Sequence, residues 1–246
     1  MMPFGYLRIE LLRMLRNKRY IIFVGAFPVI FYMINANLWG TQTIEGGVKA
    51  DVFLMVSMGA YGALAASMMS TAVPWAQERQ SGWLRQLQVT PLPNATIILT
   101  KLVSALMLVL PALLLVILAA VLTQGVSLTA GQWAALIPAM WLGTIPFAAL
   151  GLVIGSLLPV DTAQPVAMLS MFALALLGGL WFPPEVMPAT MKEIADVLPS
   201  FSYADIGWHL VSGEAVPPSD AVKVVIWAVV LGALAVFGYR RAVTRA

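Results

Sequence analysis

His209 is the single histidine of this 246-residue chain, and Asp205 stands four residues before it. On a helix that spacing sets an imidazole beside a carboxylate, a pair able to hold or pass a proton. Two residues make a thin catalytic constellation, and no other polar groups gather around them in the sequence. Cysteine is absent, which excludes disulfides, thiolate metal sites and cysteine nucleophiles. One histidine leaves no histidine-based zinc site, and no metal or cofactor is expected. No G-x-x-x-x-G-K-[ST] phosphate loop occurs, so nucleotide hydrolysis is not expected of this chain and it is read as a non-enzyme. The other polar grouping is Glu78-Arg79-Gln80-Ser81-Gly82-Trp83, followed by Leu87 and Thr90-Pro91-Leu92. It is amphipathic and compatible with a helix until Pro91 and Pro93 end it. It reads either as a docking element for a partner or as an interfacial helix without one.

The elements that must position these residues are apolar. The chain is 61% hydrophobic and 10% charged, with a mean hydropathy of +0.89. Soluble domains carry about 25% charged residues, so lipid is the main solvent here. Six spans are expected, at 20–39, 52–73, 102–122, 133–158, 166–180 and 222–239, in an all-α polytopic single domain. The fifth is short against the ~20 residues that a straight crossing needs. Before the first span, 3–18 places Phe4, Leu7, Leu11, Met14 and Leu15 on one helical face and Arg13, Arg16 and Asn17 opposite. That pattern predicts an interfacial helix; the alternative is an ordinary basic flank. No cleavable leader is expected.

Charge fixes the orientation. Eleven of the fourteen Lys and Arg fall in the N-terminal segment, the connection between spans two and three, and the C-terminal tail. The three others, Lys49, Lys192 and Lys223, fall in the alternate connections, together with eight of the eleven acids. The excess of positive charge marks the cytoplasmic side, so both termini are expected there. This asymmetry accounts for the net charge of +3 without a nucleic-acid surface. No ionisable residue is expected at mid-bilayer depth, which argues against ion-gradient coupling. Gly151 and Gly155, with the pairs Gly59/Ala63 and Gly62/Ala66, are spaced for close helix contact, within one subunit or at a dimer seam.

The segment between spans five and six is punctuated by Pro183-Pro184, Pro188, Leu198-Pro199 and Pro217-Pro218. Two short helices fit between these breaks. One covers Ala189–Val197. The other starts at Ser202, with Asp205 three residues on, and stops at Gly213. Beside a short fifth span, they predict a re-entrant hairpin dipping in from outside; a solvated cap is the alternative.

The order of these features resembles the membrane permease of ABC-2 type ABC transporters, a class containing bacterial drug, lipid and polysaccharide exporters. The resemblance rests on the six spans and on Glu78-Arg79-x-x-Gly82 with Leu87 and Thr90-Pro91-Leu92, Lys101 opening the next span. The third support is Phe182-Pro183, Met187-Pro188, Leu198-Pro199 and Tyr203-Ala204-Asp205. Trp83 stands where the family commonly has Thr. The resemblance implies a separate ATPase subunit that binds ATP and Mg, two copies per complex, and a second permease copy, identical or related. It implies a multi-pass protein of the bacterial cytoplasmic membrane. The work would be export of a hydrophobic or amphipathic drug, antibiotic or lipid, or alternatively of a polysaccharide or glycolipid; a non-transporting membrane subunit or a membrane-embedded enzyme would be further departures. Glu78, Arg79, Gly82, Trp83 and Leu87 would then couple to the ATPase. Phe182, Pro183, Met187, Tyr203, Asp205 and Ile206 would form an outer gate.

Overall fold

The structure, a computed structural model, describes residues 25–43, 48–83, 86, 94–182 and 184–244. The expected interfacial helix at 3–18, Leu87 and Pro183 lie outside them. Nine α-helices are described: α1 (Phe27–Trp39), α2 (Ala50–Gln80), α3 (Asn94–Gln124), α4 (Ala130–Leu142), α5 (Ile145–Leu157), α6 (Val160–Leu177), α7 (Ala189–Val197), α8 (Pro199–Ser212) and α9 (Pro218–Thr244). No strand occurs among the described residues; one isolated bridge, Thr43 to Lys49, closes the connection from α1 to α2.

Among the described residues, five helical stretches are long and apolar enough to cross a membrane: Ala50–Gln80, Thr96–Gln124, Ala130–Leu157, Val160–Leu177 and Pro218–Tyr239. Of the expected first span, 20–39, only the part carried by α1 lies among the described residues. The expected fourth span is two helices, α4 and α5, separated at Gly143-Thr144 with Pro146 in the first turn of α5. The fifth helix begins at Val160, six residues before the expected start. Its 18 residues are ~27 Å long, close to the thickness of the hydrocarbon core. The shortness inferred from sequence is therefore not a property of the helix.

α2 is the axis of the bundle. Nearly every residue from Ala50 to Ala76 is buried, between α5 on one side and α3 and α1 on the other. Glycine makes the first contact possible. A Cβ on Gly151 would collide with Thr71 Oγ1, and one on Gly155 with the Ala72 carbonyl. On the other side Gly59 meets Leu113, and Gly62 meets Pro28 and the Ala112 carbonyl. All four glycines thus serve packing within the chain. α2 also runs through Pro74 and ends only at Gln80. Pro74 removes one i→i−4 hydrogen bond, a loss that a helix held by neighbours tolerates.

The Gly151 contact gives a test. Gly151→Leu must separate α5 from α2, and overpacking of this kind costs about 1–3 kcal/mol or more. Gly131 in α4 faces open space, so Gly131→Leu serves as the control. We expect thermal unfolding in detergent to shift clearly downward for the first and hardly at all for the second.

Candidate functional site: a buried clamp and an outer helix

Two polar clusters lie at opposite ends of the bundle. At the first, α2 and α3 extend well past the apolar core, each being 31 residues long. That overrun carries Glu78 on α2 to Lys101, two turns into α3. Lys101 Nζ sits 2.5 Å from Glu78 Oε1, and both side chains are almost wholly buried, at 1% and 2% exposure. Arg79, the next residue, turns to α5. Its Nη1 donates to the Ser156 carbonyl at 2.6 Å and its Nη2 to the Leu158 carbonyl at 2.5 Å. These carbonyls close a helix C-terminus, where they lack intrahelical partners and the dipole favours a cation. One turn earlier Trp75 Nε1 donates to Ser156 Oγ at 2.8 Å, and the Trp75 ring packs on Tyr239 of α9 with centroids 5.7 Å apart. Four helices are thus joined within two turns of α2.

The sequence left this stretch as a docking element or an interfacial helix; in the structure Glu78 is buried and Arg79 half-buried. Glu78 and Arg79 face inward because α2 continues as a helix through Pro74, and because Lys101 lies opposite. The following turn reaches the surface. Gly82 has a φ of +73° and no neighbour within 4 Å of where a Cβ would be, and Trp83 is 40% exposed. The sequence did show Lys101, a lone cation in an apolar helix, but nothing in it announced Ser156 or Tyr239 as partners.

The second cluster is built on α8. The helix starts at Pro199, three residues before the expected Ser202, because proline at the first turn presets the helical φ. Gly213, at a φ of +77°, ends it as expected. Asp205 therefore lies in mid-helix and caps nothing. One face of α8 is buried. Tyr203 donates its hydroxyl to the Met140 carbonyl at 2.6 Å, and its ring stands edge-on to Phe147 at 5.5 Å and fills the space beside Gly143. Trp208 Nε1 donates to Ser57 Oγ at 3.1 Å while its ring stacks on Phe53 at 4.6 Å. Higher up, Gln132 Nε2 donates to the Leu210 and Val211 carbonyls at 3.3 and 2.9 Å. Residues 203 and 211 of α8 thus meet residues 140 and 132 of α4. α8 runs antiparallel to α4, from its break with α5 back to the start of that helix.

Of the other expected gate residues, Met187 is buried beside Gly179, Ile206 is half-buried and Phe182 is 51% exposed. Trp181, at the end of the fifth apolar run, joins Tyr61 and Phe172 by ring contacts at 5.6 and 5.7 Å.

The polar face of α8 meets α9 and α7. His209 Nδ1 lies 3.2 Å from Asp205 Oδ2, and its Nε2 lies 3.9 Å from Glu214 Oε2. Lys223 Nζ lies 2.5 Å from Asp196 Oδ1 and 3.7 Å from Asp220 Oδ1. Burial, helped by a hydrogen bond with the Asp220 carboxyl, pushes the Asp205 carboxyl up to about 6; His209 and Lys223 pull it the other way. No group of three His, Cys, Asp or Glu able to hold a metal occurs among the described residues.

The described residues form a helical bundle with apolar helices long enough to cross a membrane, with span ends stapled together and one helix packed back along a broken span. The chain belongs to the family described as "ABC-2 family transporter protein", whose sequence pattern matches residues 34–238. It is similar to the protein named "Putative transport permease YvfS" of Bacillus subtilis (strain 168), 30% identical over 204 residues that cover 83% of each chain.

Asp205 yields a pH prediction. Its carboxyl is raised from 3.8 to about 6, so folding favours the protonated form. That stabilisation is complete below about pH 4 and is lost as pH rises through 6. Asp205→Asn removes the titration. We expect the variant to unfold at a higher temperature than the parent at pH 7.5, with the difference shrinking toward pH 4.5. An equal difference at both pH values would show that Asp205 does not take up this proton.

Proposed function

We propose that this chain is the permease subunit of an ATP-driven exporter, working as two copies with two copies of a separate ATPase that binds ATP and Mg. The cargo is a hydrophobic or amphipathic molecule, a drug, antibiotic or lipid, moved outward across the bacterial cytoplasmic membrane. The observation that carries this reading is the Gly82-Trp83 turn. Trp83 is exposed at the surface, while Glu78, buried, and Arg79, half-buried, one turn before it are bonded to two other helices. A surface turn anchored so rigidly suits a contact that must pass on force. Six spans with both termini cytoplasmic follow from the distribution of Lys and Arg, and place this turn in the cytoplasm with the ATPase. The chain has no phosphate loop of its own, so the energy must arrive there.

In the same reading α8 is a re-entrant half-helix. Its support is the antiparallel path along α4, which takes Tyr203 about halfway down the Ala130–Leu157 span. Non-helical backbone at such depth is tolerated where protein covers it, and Gly143 at the break is covered by Tyr203 of α8. α8, with Met187, Phe182 and Ile206, then forms the outer gate.

Two experiments decide. First, the permease is purified alone and with the ATPase encoded beside it, both in lipid. We expect no ATP hydrolysis above background from the permease alone, and hydrolysis with cargo efflux from the complex. Trp83→Ala should weaken binding of the ATPase; unchanged binding and efflux would refute the role of the turn. Second, because the chain has no cysteine, single probes at Ile206→Cys and Leu210→Cys report the gate. An impermeant thiol reagent should label them slowly at rest and faster during turnover. Rapid and equal labelling in both states would make α8 a solvated cap.

A further inference from the structure

We infer that Lys101 is a positioning residue for the coupling turn, acting through Glu78, and that the buried pair sets the angle of the last turn of α2. This rests on the reading of Gly82-Trp83 as the ATPase contact. The reason lies in what a buried ion pair does poorly and what it does well. Removing two charges from water costs several kcal/mol for each ion, and the attraction seldom repays it. As glue, two well-packed apolar side chains would serve α2 and α3 equally. An ion pair differs in being directional. It has one favoured separation and one rotation, whereas an apolar contact permits sliding.

Glu78 gives such a fixed point toward α3 at 2.5 Å. Arg79, ~100° further round the helix, gives a second toward the C-terminus of α5, through two carbonyls. Two adjacent residues thus pin α2 in two directions one turn before Gly82. The turn beyond is open at Gly82, where nothing lies within 4 Å of a Cβ. Force on Trp83 is passed back along α2 to these two anchors. The one toward α5 leads to the helix whose far end, at Gly143-Thr144, receives Tyr203.

The test separates positioning from glue. Spin labels on Trp83→Cys and Leu157→Cys, both exposed sites, measure the distance from the turn to the end of α5. Isolated permease in lipid suffices, and no native cysteine interferes. The variants are Glu78→Leu/Lys101→Met, which removes both charges, and Lys101→Arg, which keeps the pair. Without the labels, each is also assembled with the ATPase and assayed for ATP hydrolysed per cargo exported. We expect the double variant to keep its unfolding temperature within a few degrees, because an apolar pair replaces an ion pair at little cost. Its distance distribution should broaden, and its ATP consumed per cargo should rise about 3- to 10-fold. Lys101→Arg should restore a narrow distribution and near-native coupling. A double variant with native distance and native coupling would overturn the inference, leaving the pair as glue. Should the double variant not fold, Glu78→Asp replaces it, retracting the carboxylate by one methylene; native values from it would equally overturn the inference. If the parent complex proves not to be ATP-driven, the assignment of the turn fails, while a broadened distance in isolated permease still upholds positioning by Lys101.

Discussion

The backbone contact between α2 and α5 at Gly151 and Gly155 is the constraint on which the rest depends. With no side chain on either glycine, α5 lies directly on the Thr71–Trp75 stretch of α2. The next residue, Ser156, then reaches Trp75, and the end of α5 comes within range of Arg79. Move α5 away by the width of one methyl group and all three hydrogen bonds lengthen together. The contact also fixes where the other end of α5 falls. That end is the break at Gly143-Thr144, and the Tyr203 ring fits only because Gly143 has no Cβ in its way. The buried clamp and the docking of α8 are thus set by the same pair of helices.

Many polar groups inside the bundle follow one of two patterns, although the hydroxyls of Ser200 and Ser202 and the Trp181 indole N–H have no hydrogen-bond partner among the described residues. Hydroxyls on helices bond to their own backbone: Ser57 to Phe53, Ser67 to Leu64, Ser70 and Thr71 to Ser67, Ser104 to Thr100. So satisfied, they can face apolar neighbours at close range. Indole N–H groups instead cross between helices. Trp75 joins α2 to α5, Trp141 joins α4 to α3 at the Leu106 carbonyl, Trp208 joins α8 to α2, and Trp227 joins α9 to the last residue of α7. A large apolar ring with one donor suits a bundle in lipid, where burial alone does not choose between neighbours.

Much of this was legible in the sequence, and the failures have local causes. The apolar runs marked the helices, and α7 falls on the residues that the prolines predicted. The family resemblance held. Pro74 misled, because proline ends helices in water but not where neighbouring helices hold the chain. Asp161, Thr162, Gln164 and Pro165 read as a loop, yet they form the first turns of α6. The start of α8 was placed at Ser202 on a capping pattern, and Pro199 overrode it. The burial of Glu78 could not be read at all. Its partner lies 23 residues away, and whether a charged segment is solvated or clamped depends on which residue the next helix brings opposite it.

The burial of α2 also bears on how the chain is made. This helix emerges from the ribosome early, yet Ser57 waits for Trp208, 151 residues later. Thr71 and Ala72 wait for the glycines of α5. Until those partners exist, the small and hydroxylic faces of α2 can turn only to lipid, which gives them little. Entry of α2 into the bilayer and its final docking are therefore separate stages. In the interval it is held less by its own surface than by α3, the helix that follows it directly.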